Sequence, residues 1–188
     1  MLYSLSLTNC GNTSSKKAPD KSSSKEITLN KMDFKNLIDT IDRKVVDLTA
    51  TSDLFGIDEF IKLYENSSVY RKDALLFIAD TLKSEQKKQI AVLSMQNLPE
   101  DAYIDFCNSV VDLFVKDIVT EELLQTAVFF SLNSKYQIIK NYKNQVVINL
   151  LDKIKSHSQN IDLKERTDNI LSGKDWKDVA ESLESKKN

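Results

Sequence analysis

Few residues in this chain carry side chains that could do covalent or metal chemistry. Of 188 residues, two are cysteine and one is histidine, which excludes most four-ligand zinc sites. Cys107 shares a helical face with Val110, Val111 and Phe114, the setting of a small core residue and not of an exposed nucleophile. His157 stands in Lys155-Ser156-His157-Ser158 near the end of a helical stretch, where an imidazole at the surface suits the terminal carbonyls. A Cys107–His157 pair would be the one nucleophile–base combination on offer. Carboxylate pairs occur at Asp58-Glu59, Glu100-Asp101 and Glu121-Glu122. Each falls at an expected helix N-terminus, where it stabilises exposed amides and the dipole with no acid–base role. Asp39 and Asp42 lie one turn apart and could meet a cation. Lys140, Lys143, Lys153 and Lys155, with Tyr136 and Tyr142, come nearest to a basic aromatic patch, and Asp152 interrupts it. No glycine-rich phosphate loop, zinc-ligand spacing or serine-centred nucleophile elbow is present in the sequence. These residues predict recognition without catalysis: no enzyme, no catalytic residue, no metal, no cofactor, no small-molecule substrate and no nucleic acid.

The elements that must position such a surface are helices. Hydrophobic residues make up 41% of the chain and charged ones 29%, with three glycines and two prolines, so a core is available but the tight turns of strand-rich folds are not. From Leu29 onward apolar residues recur at three and four, as in Phe34, Leu37, Ile38, Ile41, Val45 and Leu48. The stripes predict helices over 31–48, 57–65, 69–82, 85–97, 100–117, 121–132, 135–156 and 162–172, with a short last one over 175–184. Asp53 to Gly56, Ser84, Pro99 and Thr120 punctuate the starts, and Gly173 is placed to cap an end.

Sliding the chain by 36 residues sets Gln89 on Gln125 and Asn97 on Asn133. The same shift aligns Tyr70, Phe106 and Tyr142; Ala74, Val110 and Val146; Leu75, Val111 and Val147; Ile78, Phe114 and Leu150; and Leu82, Ile118 and Ile154. A helix hairpin of this size cannot bury its apolar face alone, so copies must stack. The segment from Tyr70 to Leu82, with an aromatic residue, a charged group and then a small-apolar run, resembles the second helix of HEAT-like repeats. That resemblance covers about 65–156 and implies an all-α fold in which antiparallel helix hairpins stack as a short right-handed solenoid and serve as a binding scaffold. Trp176 is then a capping residue for the last pair.

The first 28 residues form a separate segment, leaving 29–188 as the helical-repeat domain. Residues 1–25 hold four lysines against one aspartate, net +3, which leaves −5 on the rest of a chain of net charge −2. A short apolar run from Met1 to Leu7 leads into Leu7-Thr8-Asn9-Cys10-Gly11, followed by a polar Ser/Lys/Asn/Thr stretch. This resembles a degenerate bacterial lipobox, with leucine three residues before the cysteine, and the resemblance implies lipidation of Cys10 and a polar tether. Membrane contact would then come only through the lipid, which places the protein in the cell envelope. The function expected is that of a lipoprotein binding another protein, most specifically an immunity protein neutralising a cognate secreted toxin. A surface adhesin or host-factor binder is the alternative, and a cytosolic helical-repeat scaffold follows if Cys10 carries no lipid. The acidic body favours a basic partner.

Overall fold

The computed structural model describes residues 33–46, 51–129 and 137–178, all within one compact unit, Met32–Asn188. Cys10, the proposed tether, Asn133, Tyr136 and the end of the last expected helix lie outside the described residues. Within them every regular element is a helix and no strand occurs, so the chain is all-α as its periodicity predicts. The helices are α1 (Phe34–Lys44), α2 (Thr51–Leu54), α3 (Asp58–Glu65), α4 (Ser67–Ala79), α5 (Glu85–Ser94), α6 (Glu100–Val115), α7 (Glu121–Val128), α8 (Gln145–His157) and α9 (Ile161–Leu171). Short helical turns cover 137–140 and 174–178.

Local chemistry fixes several of these boundaries. Asp33 caps α1 by accepting from the Lys35 amide, and Thr120 caps α7 by accepting from the Leu123 amide at 3.1 Å. Asn144 and Asn160 cap α8 and α9 in the same way, each satisfying amides that the first turn leaves free. Gly173 ends α9 at φ 75°, a left-handed conformation that suits glycine. A Cβ there would come within 2.8 Å of the Tyr142 ring, so the close approach of Tyr142 demands glycine a second time.

Several boundaries differ from the sequence reading. The first helix is shorter at both ends, because Asp33 caps its start and Val45 turns extended. Asp53 belongs to α2 and caps nothing; Ile57 precedes α3 with no side-chain cap. The expected helix over 135–156 is broken by a turn at 141–143, after which Asn144 restarts it as α8. α4 ends at Ala79, so Leu82 lies past its last turn and is 90% exposed.

Helices α4, α6 and α8 lie side by side, with α6 in the middle. α5 packs on α4, α7 on α6 and α9 on α8, while α5 and α7 touch each other; α1 and α3 pack against α4 and α5. The core runs through the layers, and Ile78, Phe114 and Leu150, one from each middle-layer helix, are all buried. Tyr103 is fully buried on α6 and donates its hydroxyl proton to the Ala127 carbonyl at 2.5 Å, tying α6 to α7.

Polar ties join successive layers at one edge. Thr120, the cap of α7, donates to the carboxylate of Glu85 in the first turn of α5. One layer on, Glu121 in the first turn of α7 accepts from Ser158 and from the α9 cap Asn160, both at 2.7 Å. Replacing Thr120 therefore removes a cap and a tie together. Thr120→Ala should cost about 1 kcal/mol or more in urea unfolding, whereas Ser84→Ala, at a position with no side-chain cap bond, should stay within about 0.5 kcal/mol. Equal losses would show that the cap is not what holds α7.

Candidate functional site

A groove of about 690 Å³ is lined by α6 and α8. Asn108 and Val115 come from α6, and Val146, Asn149, Asp152, Lys153, Ser156 and His157 from α8. Both valines are solvent-facing, at 39% and 41% exposure. The Lys153 ammonium bridges to Asp112 at 2.7 Å and to the Asn108 side-chain oxygen at 3.3 Å. Ser156 donates to the Asp152 backbone carbonyl at 2.7 Å.

His157 closes one end of the groove. Its Nε2 lies 3.1 Å from Asp117 Oδ1, and the ring stands edge-on to Phe114 with centroids 4.9 Å apart. Asp117 adopts φ 57° in the turn after α6, which aims its carboxylate back at α8. The imidazole is thus partly sheltered at a helix C-terminus, with a carboxylate supplied by the neighbouring turn.

Cys107 sits elsewhere. Its thiol is fully buried among the α6 core residues and points at the Ala127 carbonyl, 3.6 Å away. Burial pushes this thiol up to about 12, far above the range of a reactive cysteine. Nearly two turns of α6 separate it from Phe114, against which His157 rests, so the structure does not bring the two residues together.

The remaining sequence candidates resolve into structural ties. Asp39 and Asp42 do meet a cation, and it is Lys87 of α5, whose ammonium is 2.7 Å from Asp39 and 3.6 Å from Asp42. The Lys87 hydrogen bond holds the Asp39 carboxyl below the usual carboxylate value, and Asp39 in turn raises the Lys87 ammonium. Glu59 accepts from Lys44 at 2.7 Å, and Glu100 accepts from Lys140 and Asn141, both at 2.9 Å. Those partners depress both glutamates. Lys155 pairs with Asp168 at 2.5 Å, and Lys143 lies over the Tyr142 ring. The lysines of the expected basic patch are therefore divided among four different partners. Among the described residues no group of three or more His, Cys, Asp or Glu converges as a metal site would.

A second cleft of about 440 Å³ lies between α7 and α9, lined by Gln125, Asn160, Asp162, Leu163, Glu165, Arg166 and Asn169. Gln89, one layer back, donates to Glu122 at 3.0 Å. Of the 36-spaced amides, Gln89 thus reaches α7, Gln125 lines this cleft, and Asn97 donates to the Tyr64 carbonyl.

The sequence reading did not single out the α6–α8 groove as a unit. A signal was present: Lys153 with Asp112, and Lys140 with Glu100, are opposite charges 41 and 40 residues apart. No protein-family model matches the chain, and searches of curated proteins and of solved structures find no match for it.

Two measurements follow. In a Cys10→Ser background the native protein should react with a thiol reagent at pH 8 orders of magnitude more slowly than the urea-unfolded chain, since Cys107 is buried; rapid native labelling would contradict its placement. The lowered Asp39 carboxyl stabilises the fold above its unfolded value near 3.8, and that contribution disappears as pH falls through the lower folded value. Asp39→Asn should therefore lower stability at pH 7 and flatten the acid limb of the stability curve; an unchanged acid limb would exclude the coupling.

Proposed function

We propose that this protein binds another protein without catalysis, from a position tethered to the cell envelope by lipid on Cys10. Its most specific form is an immunity protein that occludes a cognate secreted bacterial toxin. The observation that carries the binding reading is the α6–α8 groove: two valines stand open to solvent there beside asparagine and aspartate side chains, while the surrounding lysines are engaged. Exposed apolar side chains within a polar rim are what protein interfaces use. The reading of Cys107 as a core residue and of His157 as a partner of Asp117 supports recognition as the task.

The tether reading is supported by the Leu7-Thr8-Asn9-Cys10 run. No helix among the described residues is long and apolar enough to cross a membrane, so attachment would fall to the acyl chains, and firm attachment takes more than one. The HEAT-like reading of the helix array is part of the same proposal and accounts for a scaffold with an open face.

The test is mass spectrometry and membrane partitioning of the protein expressed from its own gene in its own host, with and without Cys10→Ser. Wild type should carry the mass of a lipid and pellet with membranes, and the variant should turn soluble. Cells lacking the gene should be inhibited by contact with sibling cells that secrete the toxin, and wild type but not the soluble variant should restore growth. If wild type is soluble with Met1 retained, the envelope and immunity readings fall together and a cytosolic scaffold remains.

A further inference from the structure

We infer that the α6–α8 groove receives an extended segment of the partner protein, bearing two aliphatic side chains four residues apart and a lysine or arginine close to them. This rests on the binder reading and assigns its face and the form of its ligand. The first support is the geometry of the walls. Asn141 meets Glu100, Lys153 meets Asp112 and His157 meets Asp117, so α6 and α8 run parallel with residue numbers offset by 40 or 41. Val146 then stands level with about residue 105, some ten residues before Val115, or about 15 Å along the axis at ~1.5 Å per residue. An extended chain advances about 3.3 Å per residue and returns to the same face every second position, so side chains i and i+4 lie about 13 Å apart. That spacing lets one side chain rest on each valine.

The second support is the donor pattern between the valines. Asn108 uses its side-chain oxygen to accept from Lys153, and Asn149 uses its own to accept from Gln145 at 2.8 Å. Each amide NH₂ is left without a partner among the described residues, and both residues line the groove. Two spare donors along a groove match the carbonyls of an extended backbone, which has no internal hydrogen bonds of its own.

Charge supplies the third support. Lys153 is paired with Asp112, Lys155 with Asp168, and His157 with Asp117. Asp152 also lines the groove, is exposed, and has no cation within pairing distance among the described residues. The uncompensated charge in the lining is therefore negative, which calls for a cationic side chain on the segment and agrees with the acidic body of the chain.

The experiment pans a phage-displayed random heptapeptide library against the full chain, then titrates the enriched peptide, made synthetically, into isotope-labelled protein observed by NMR. The expected peptide has aliphatic residues at i and i+4 with lysine or arginine between or beside them, and it shifts the side-chain amide signals of Asn108 and Asn149. Val146→Glu should weaken binding by about tenfold or more, and Asn149→Ala, which removes the donor at an exposed position without adding charge to the groove, should weaken it too. Circular dichroism confirms that each variant is folded, and should Val146→Glu fail to fold, Asn149→Ala decides. The inference is overturned by an enriched peptide lacking that spacing, by shifts confined to other surfaces, by unchanged binding to the folded variants, or by a library that yields nothing. Self-association that Val146→Glu abolishes, seen by sedimentation equilibrium, would make the occupant a second copy and overturn it as well. None of these outcomes affects the membrane-partitioning result, so failure of the groove and failure of the tether are read separately.

Discussion

The burial of α6 is the constraint on which the rest of the structure depends. Tyr103, Phe106, Cys107, Val110, Val111 and Phe114 are all removed from solvent on this one helix, more apolar surface than a single partner helix can cover. It is satisfied only because α4 lies on one flank, α8 on the other and α7 across the back. Burying side chains of this size contributes roughly 1.5–3 kcal/mol each, so the three neighbours are held where α6 needs them. The groove is a by-product of that arrangement. Parallel helices that bury Phe114 and Leu150 on their inward faces leave a furrow on their outward side, and whatever α6 and α8 present outward becomes its lining.

Ion pairs finish what burial begins. Three links between helices span a long sequence separation: Asp39 to Lys87, Glu100 to Lys140, Asp112 to Lys153. All are partly exposed, so each adds little energy alone. Their value is in register, because a lysine reaching the wrong turn would leave a half-buried carboxylate without its partner. The same economy explains why chemistry suspected at Asp39 and Asp42, or among the lysines near Tyr142, resolves into cross-helix ties.

Helix positions and the all-α class were legible because the apolar stripe is a direct image of the buried face. Register was less so. The step from α5 to α7 follows the 36-residue period, since Glu85 and Glu121 open the two helices. The contacts that α8 makes with the carboxylates of α6 and its following turn instead run at 41 and 40. Four extra residues are about one helical turn, so the stripe reads alike in either register and Val147, Leu150 and Ile154 are buried as expected. Residues near the break expose the difference: Tyr142 sits in the turn and Val146 faces solvent. The groove was hidden for a related reason, because its residues come from two helices and look, in sequence, like ordinary solvated positions. Their meaning depends on the side-chain oxygens of Asn108 and Asn149 being already taken, and periodicity carries no such information.

The edge ties at Glu85–Thr120 and Glu121–Asn160 bear on how the molecule comes apart. Arrays of stacked helices contact only near neighbours and can in principle lose end units one at a time. Here the residue that starts one helix also grips the first turn of the helix before it. Fraying of α9 would strip Glu121 of its donors, and fraying of α7 would do the same to Glu85, so disorder at one end is felt along the array. Coupling of this kind widens the cooperative unit, and slow amide exchange should extend over α5, α7 and α9 as a single block instead of fading from the ends inward.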